Sequence, residues 1–107
     1  MVEYSISLDS VFNSLADPTR RDIVRRVAVT ELSITEIASA YDMTLAAISK
    51  HLKILENANL IVKRRNGKQQ LVRADSTGLH AAATYLEMYE RLWNDRHDRL
   101  ETFLAED

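Results

Sequence analysis

Lys50, Lys53, Lys63, Arg64, Arg65, Lys68 and Arg73 lie within 25 residues that contain one acid, Glu56, a balance of +6. The chain as a whole carries a formal charge of −2, so the flanks are acidic: −3 over residues 1–49 and −5 over residues 75–107. Cations concentrated in this way build a one-sided field suited to a polyanion rather than a small anion. A solvated loop would use the same residue types, so the way the charges are mounted has to decide. Other chemistries find little to work with. No Cys is present, which excludes disulfides, thiolate-held zinc, iron–sulfur clusters and thiol catalysis. Ser49 and His51 are two apart, so on a helix they point in different directions and cannot pair as nucleophile and base. His51 flanks a buried face, where a hydrogen-bonded structural role and a phosphate contact are both open. His80 reads as solvated, and His97 with Glu101, four apart, as a surface ion pair. There is no glycine-rich phosphate loop and no paired acid with a nearby base, so we expect no catalytic residue, no metal, no cofactor and no enzyme activity.

The elements that must carry these cations follow from periodicity and capping. The 107 residues, 46% of them hydrophobic, suit one domain spanning 1–107. Leu8, Val11, Phe12 and Leu15 at three and four residue spacing predict a short helix ending near Ala16. Asp17-Pro18 restarts the chain as cap and first helical residue, with Ile23, Val24 and Val27 on the next buried stripe. Ser33-Ile34-Thr35-Glu36 is a capping box that opens a third helix to about Ala40, and Thr44 caps a fourth. This pair, about 33–57, has the outline of a helix-turn-helix. Leu60-Ile61-Val62, an Asn66-Gly67 turn and a return over Gln69 to Arg73 predict a basic β-hairpin, or wing, at about 61–74. Leu79, Ala82, Leu86, Tyr89, Trp93, Leu100 and Phe103 then mark one long helix over about 77–104, which would extend roughly 40 Å. No apolar run approaches a bilayer span, and Met1-Val2-Glu3-Tyr4 lacks the order of a signal peptide, so a soluble cytoplasmic protein without a membrane partner is expected.

The fourth helix is built to enter a groove. Taking about 100° per residue from Ile48, Leu52 and Leu55 fall towards the core, while Ala46, Ser49, Lys50 and Lys53 face away. Thr44 and Leu45 form its N-terminal tip, which in such a motif points to base edges and phosphates. Leu45 and Ala46 can touch only a thymine methyl or fill space, a weak pointer to A·T. The wing offers Lys63, Arg64, Arg65, Lys68 and Gln69 to backbone phosphate or the minor groove. An exposed edge that resists aggregation would need the same cations. Helix pair, cationic outer face and basic hairpin in this order favour double-stranded DNA. The long helix outruns the body of a small domain, so Trp93, Leu100 and Phe103 call for cover from another subunit.

Ala16-Asp17-Pro18-Thr19-Arg20, Ile23, Ser33 to Ala38, Ile48-Ser49-Lys50-His51-Leu52-Lys53-Ile54-Leu55 and Ile61-Val62 resemble, in this order, the ArsR/SmtB family of winged-helix transcriptional repressors. The resemblance implies a mainly α fold with a small β-hairpin, a winged helix-turn-helix whose long C-terminal helix dimerises. It also implies a homodimer on a palindromic operator, often released by a small effector, and contact of DNA through the tip of the fourth helix and the wing. The first and last helices would then supply the interface, at Leu8, Val11, Phe12, Leu86, Tyr89, Trp93, Leu100 and Phe103. The residues that match the family's paired cysteines are Leu32-Ser33-Ile34-Thr35, so the soft-metal site is absent. Asp95-Arg96-His97 reproduces half of the zinc motif found between paired last helices, but Asp107 is reached before the second His. The tail around Trp93, Arg96, Asp98 and Leu100 instead looks like cysteine-free members whose effector is unknown. A homodimeric repressor is expected. The alternative is a winged-helix dimerisation module that binds another protein and no DNA.

Overall fold

The computed structural model describes residues 6–105. Met1 to Ser5, which carry the signal-peptide reading, and the Glu106-Asp107 end lie outside them. Helix α1 (Leu8–Leu15) starts at Ser7, whose hydroxyl accepts from the Ser10 N–H at 3.2 Å. Helix α2 (Pro18–Val29) starts at Asp17, which accepts from the Arg20 N–H at 3.0 Å, with Pro in the first turn where no N–H is needed. Helix α3 (Ile34–Tyr41) opens on the full capping box. Ser33 Oγ accepts from the Glu36 N–H at 3.1 Å, and Glu36 Oε1 accepts from the Ser33 N–H at 2.9 Å. Asp42 ends α3 in the left-handed conformation at φ 53°, and Thr44 caps α4 (Leu45–Asn57) by accepting from the Ala47 N–H at 3.1 Å. The expected order of helices is therefore the observed one.

Two details of the sheet differ from expectation. A two-residue strand β1 (Leu32–Ser33) precedes α3 and pairs with β3 (Gln69–Ala74), which pairs in turn with β2 (Ile61–Asn66), so the wing is the larger part of a three-stranded antiparallel sheet ordered β1-β3-β2. The turn is Gly67-Lys68 rather than Asn66-Gly67. Asn66 pairs with Gln69, and Gly67 takes φ +66° as the first central residue, the position at which a II′ turn demands glycine. Lys68 consequently sits at the tip itself.

Ile23, Ile37, Ile48, Leu52, Leu55, Leu60 and Val72 are fully buried and join the helices to the inner face of the sheet. Leu55 and Ile48 face this core at the spacing read from the sequence, and no buried side-chain polar atom among the described residues lacks a partner. Helix α5 (Ser76–Ala105) begins with Asp75 accepting from the Thr77 N–H at 3.0 Å. It packs closely against the body at Gly78, where a Cβ would stand 2.5 Å from the Ala58 carbonyl oxygen, a separation that only glycine permits. Beyond Tyr85 every residue of α5 is exposed, and the long axis of the molecule measures 70 Å. No helix among the described residues is long and apolar enough to cross a membrane.

Candidate nucleic-acid interface

Helix α4 is held from behind by α1 and α2. The Ser14 hydroxyl bridges the Ser10 and Ile54 carbonyls at 2.7 and 3.4 Å, docking α1 on α4. Arg20 donates from Nε to the Ser14 carbonyl at 2.7 Å and from Nη2 to the Asn13 carbonyl at 3.1 Å, and Arg21 donates to the Leu15 carbonyl at 2.6 Å. These two guanidiniums satisfy the carbonyls left open at the end of α1. The Asp17-Pro18-Thr19-Arg20 segment is thus a joint between helices. Arg20 Nη1 lies 3.4 Å from His51 Nδ1, which gives His51 a structural position behind α4 rather than on its outer face.

A second brace joins α2 to α3. Asp22 accepts from the Tyr41 hydroxyl, from Arg25 and, at 3.0 Å, from Arg26 Nε, while the Arg26 guanidinium lies 5.2 Å from the centre of the Tyr41 ring. Hydrogen bonds from Tyr41, then Arg25 and Arg26, hold the Asp22 carboxyl well below the usual carboxylate range. Burial, followed by the Asp22 hydrogen bond, pushes the Tyr41 hydroxyl up to about 12.

The outer side of α4 presents a different surface. Thr44, Leu45, Ala46, Ser49, Lys50 and Lys53 are all exposed, and Lys50 and Lys53 have no ion pair or side-chain hydrogen bond among the described residues. Arg65, Lys68 and Gln69 at the wing tip are exposed and equally uncommitted. Arg64 is not. Its Nε and Nη2 donate to the two carboxylate oxygens of Glu31 at 2.8 and 2.7 Å, which lowers the Glu31 pKa and raises that of Arg64. Lys63 lies 3.4 Å from Glu56 of α4. Of the cations read from the sequence as one patch, two are therefore neutralised within the chain. Sequence reasoning passed over Glu31, because nothing in a 33-residue separation signals the pairing. Glu56 did carry a signal, as the lone acid inside the basic segment.

The expected dimer residues divide as well. Phe12, Leu86, Tyr89, Trp93, Leu100 and Phe103 are exposed, Trp93 by 68% and Phe103 by 73%, and Leu8 is half-buried. Val11 is fully buried and belongs to the protomer core, which corrects its assignment to the subunit interface. Helix α1 buries Val11 and Ser14, leaving Leu8 and Phe12 towards its outer side, where Phe12 meets Tyr85 of α5 with ring centres 6.3 Å apart. His97 Nε2 lies 3.3 Å from Glu101, and no cluster of three metal-ligating side chains occurs among the described residues.

The family model of a helix-turn-helix domain matches residues 15–64, from the α1–α2 joint into the wing. The HTH-type transcriptional regulator Rv2034 of Mycobacterium tuberculosis is 39% identical over 83 residues, 78% of each chain. The transcriptional repressor SdpR of Bacillus subtilis is 33% identical over 61 residues, 57% of this chain and 68% of that protein. An ArsR-like transcriptional regulator from Rhodococcus sp. RHA1 superposes with a TM-score of 0.81 at 27% identity, covering 94% of this chain and 92% of the other.

Proposed function

The chain belongs to the ArsR family of winged helix-turn-helix transcriptional regulators, and from that membership we propose that it acts as a homodimeric repressor that grips a palindromic DNA operator. One observation carries the reading: Lys50, Lys53, Arg65 and Lys68 are exposed, have no ion pair or side-chain hydrogen bond among the described residues, and lie on the outer side of α4 or at the wing tip. Charges left unpaired on a rigid helix are available to phosphate at no cost in broken ion pairs. Thr44, Leu45, Ala46, Ser49 and Lys50 would meet base edges and nearby phosphates in the major groove, with Lys53 on the flanking backbone. Arg65, Lys68 and Gln69 would follow the phosphate backbone beside the wing.

Two-fold pairing through α5 and the Leu8 and Phe12 side of α1 would cover Leu86, Tyr89, Trp93, Leu100 and Phe103. It would set two α4 helices about 34 Å apart, in successive major grooves. A released state, if a small effector brings one about, does not use thiolate-bound metal. The chain has no Cys, and Ser33 Oγ is engaged as the cap of α3. On this reading the protein works by binding DNA rather than by turnover.

Selection of duplexes from a random pool, followed by sedimentation of the complex, tests this. The expected result is an inverted repeat with half-sites about 10 base pairs apart, bound by two chains. A chain that stays monomeric, or ignores every duplex at about 50 mM salt where phosphate contacts are strongest, overturns it. A protein-interaction module would leave its partner binding intact when Lys50, Lys53, Arg65 and Lys68 are neutralised together.

A further inference from the structure

Strand β2 carries two consecutive cations that point to opposite faces of the sheet, and each is met by a carboxylate, one from α4 and the other from the segment just before β1. On one face Lys63, opposite the buried Val72, reaches Glu56 of α4 at 3.4 Å. On the other, Arg64 lies opposite Leu71, and Leu71 lies opposite Ser33 of β1. The Arg64 guanidinium spans this row to grip both oxygens of Glu31, which sits just before β1. In the order β1-β3-β2 the two outer strands share no backbone hydrogen bonds, so the Glu31 pair is a direct link between them. Ser33 of β1 is also the cap of α3. The outer strand of the wing is thereby strapped to α4 and to the segment that leads through β1 into α3.

We propose that Glu31 and Arg64, with Glu56 and Lys63 on the opposite face, are positioning residues that fix the pitch of the wing for DNA, and that the wing's charged phosphate contacts are Arg65 and Lys68. This rests on the DNA-binding reading above and refines it at Arg64, which the sequence pattern assigns to phosphate. A bidentate guanidinium–carboxylate pair has fixed geometry, which a flexible lysine reaching into solvent lacks. The proposal carries an unusual sign. Neutralising an acid beside a polyanion ordinarily tightens binding, whereas removing Glu31 here loosens it, because the wing tip loses its orientation.

The test is titration of the full chain against a duplex selected from the random pool, across a range of salt concentrations, with thermal unfolding as the check on folding. Glu31→Gln and Arg64→Gln should each weaken binding about twofold to fivefold, the range an exposed pair can command. The salt slope should stay at its wild-type value. Exchanging the partners, Glu31→Arg with Arg64→Glu, should return affinity to within about twofold of wild type, since the strap is rebuilt with reversed polarity. Should the exchanged chain fail to fold, the neutral pair Glu31→Gln with Arg64→Gln replaces it and should bind no worse than either single variant.

The proposal is overturned if Glu31→Gln tightens binding while Arg64→Gln lowers the slope by about one, the mark of a lost phosphate contact. It is equally overturned if neither variant changes affinity. Arg65→Gln and Lys68→Gln, measured alongside, keep the two readings apart. If they leave the slope untouched, the wing does not contact phosphate and the wider reading fails there; if they lower it while the exchange does not rescue, only the strap fails.

Discussion

Helix α2 and the α4–wing region each carry a cluster of cations, yet the molecule uses them in opposite ways. Arg20 and Arg21 close the end of α1, and Arg25 and Arg26 hold Asp22. Each of the four α2 arginines has a partner inside the chain. Lys50, Lys53, Arg65 and Lys68 have none among the described residues, although their side chains are chemically the same kind. What separates a structural cation from one that can take a ligand is the set of acceptors the fold brings to it. Arg64 and Lys63 show the boundary running through a single strand.

The sharpest break in this comparison is expected at Arg20. Removing it in Arg20→Ala strips hydrogen bonds from the Ser14 and Asn13 carbonyls and withdraws the neighbour of His51. Charge-assisted bonds of this kind are worth about 1.5–3 kcal/mol each, and partial exposure at the edge of the joint reduces the yield to roughly 2 kcal/mol in total. The midpoint of thermal unfolding should fall by about 10 °C. DNA affinity per folded molecule should stay the same. If instead Arg20→Ala leaves stability alone and weakens DNA binding, α2 belongs to the interface.

Lys50→Ala should do the converse. Loss of about tenfold in affinity for the selected duplex, equivalent to about 1.4 kcal/mol, should come with an unfolding midpoint within about 2 °C of wild type. The change should be uneven across operator variants if Lys50 meets a base, and even if it meets only phosphate. Ser49, one residue earlier on the same exposed side, provides the comparison for which of the two reads sequence. Arg65→Gln is expected to act more weakly, costing a few-fold at moderate salt and reducing the salt slope by about 0.9, alike for all sequences.

How far these roles could be read in advance depended on the distance over which each is decided. The caps Asp17, Ser33 and Thr44 act on residues three positions away, and all of them were legible. The face of α4 was legible for the same reason, since Ile48, Leu52 and Leu55 repeat at helical spacing. The wing was legible as a hairpin, but its turn was not, because Asn66-Gly67 is the commoner turn pair and only the pairing of Asn66 with Gln69 moves the turn one residue on. Strand β1 was hidden altogether. Two residues show no alternation, and their partner lies about 40 positions away. Val11 was misassigned because a helix as short as α1 offers its apolar residues to more than one neighbour, and spacing does not say which side meets the core. The pairing of Arg64 with Glu31 belongs with these, since charge alone cannot distinguish a braced arginine from a free one.

The smallest effect is expected at the α2–α3 brace, where acid supplies the test. The folded Asp22 carboxyl titrates below its ordinary value, through the Tyr41 hydroxyl first and then Arg25 and Arg26. A depressed folded pKa means that this contribution is fully present above the ordinary carboxylate value of about 4 and fades as acid protonates the folded carboxyl. Tyr41→Phe removes the first of those hydrogen bonds and keeps the ring over Arg26, so the acid unfolding midpoint should rise by a few tenths of a pH unit while neutral stability changes by less than about 1 kcal/mol. Affinity for DNA at pH 7 should be unmoved, because the Asp22 cluster is satisfied internally. If Tyr41→Phe cost as much affinity as Lys50→Ala, the α2 cations would be reaching DNA through their brace, and the division between satisfied and available charge would not describe how this molecule works.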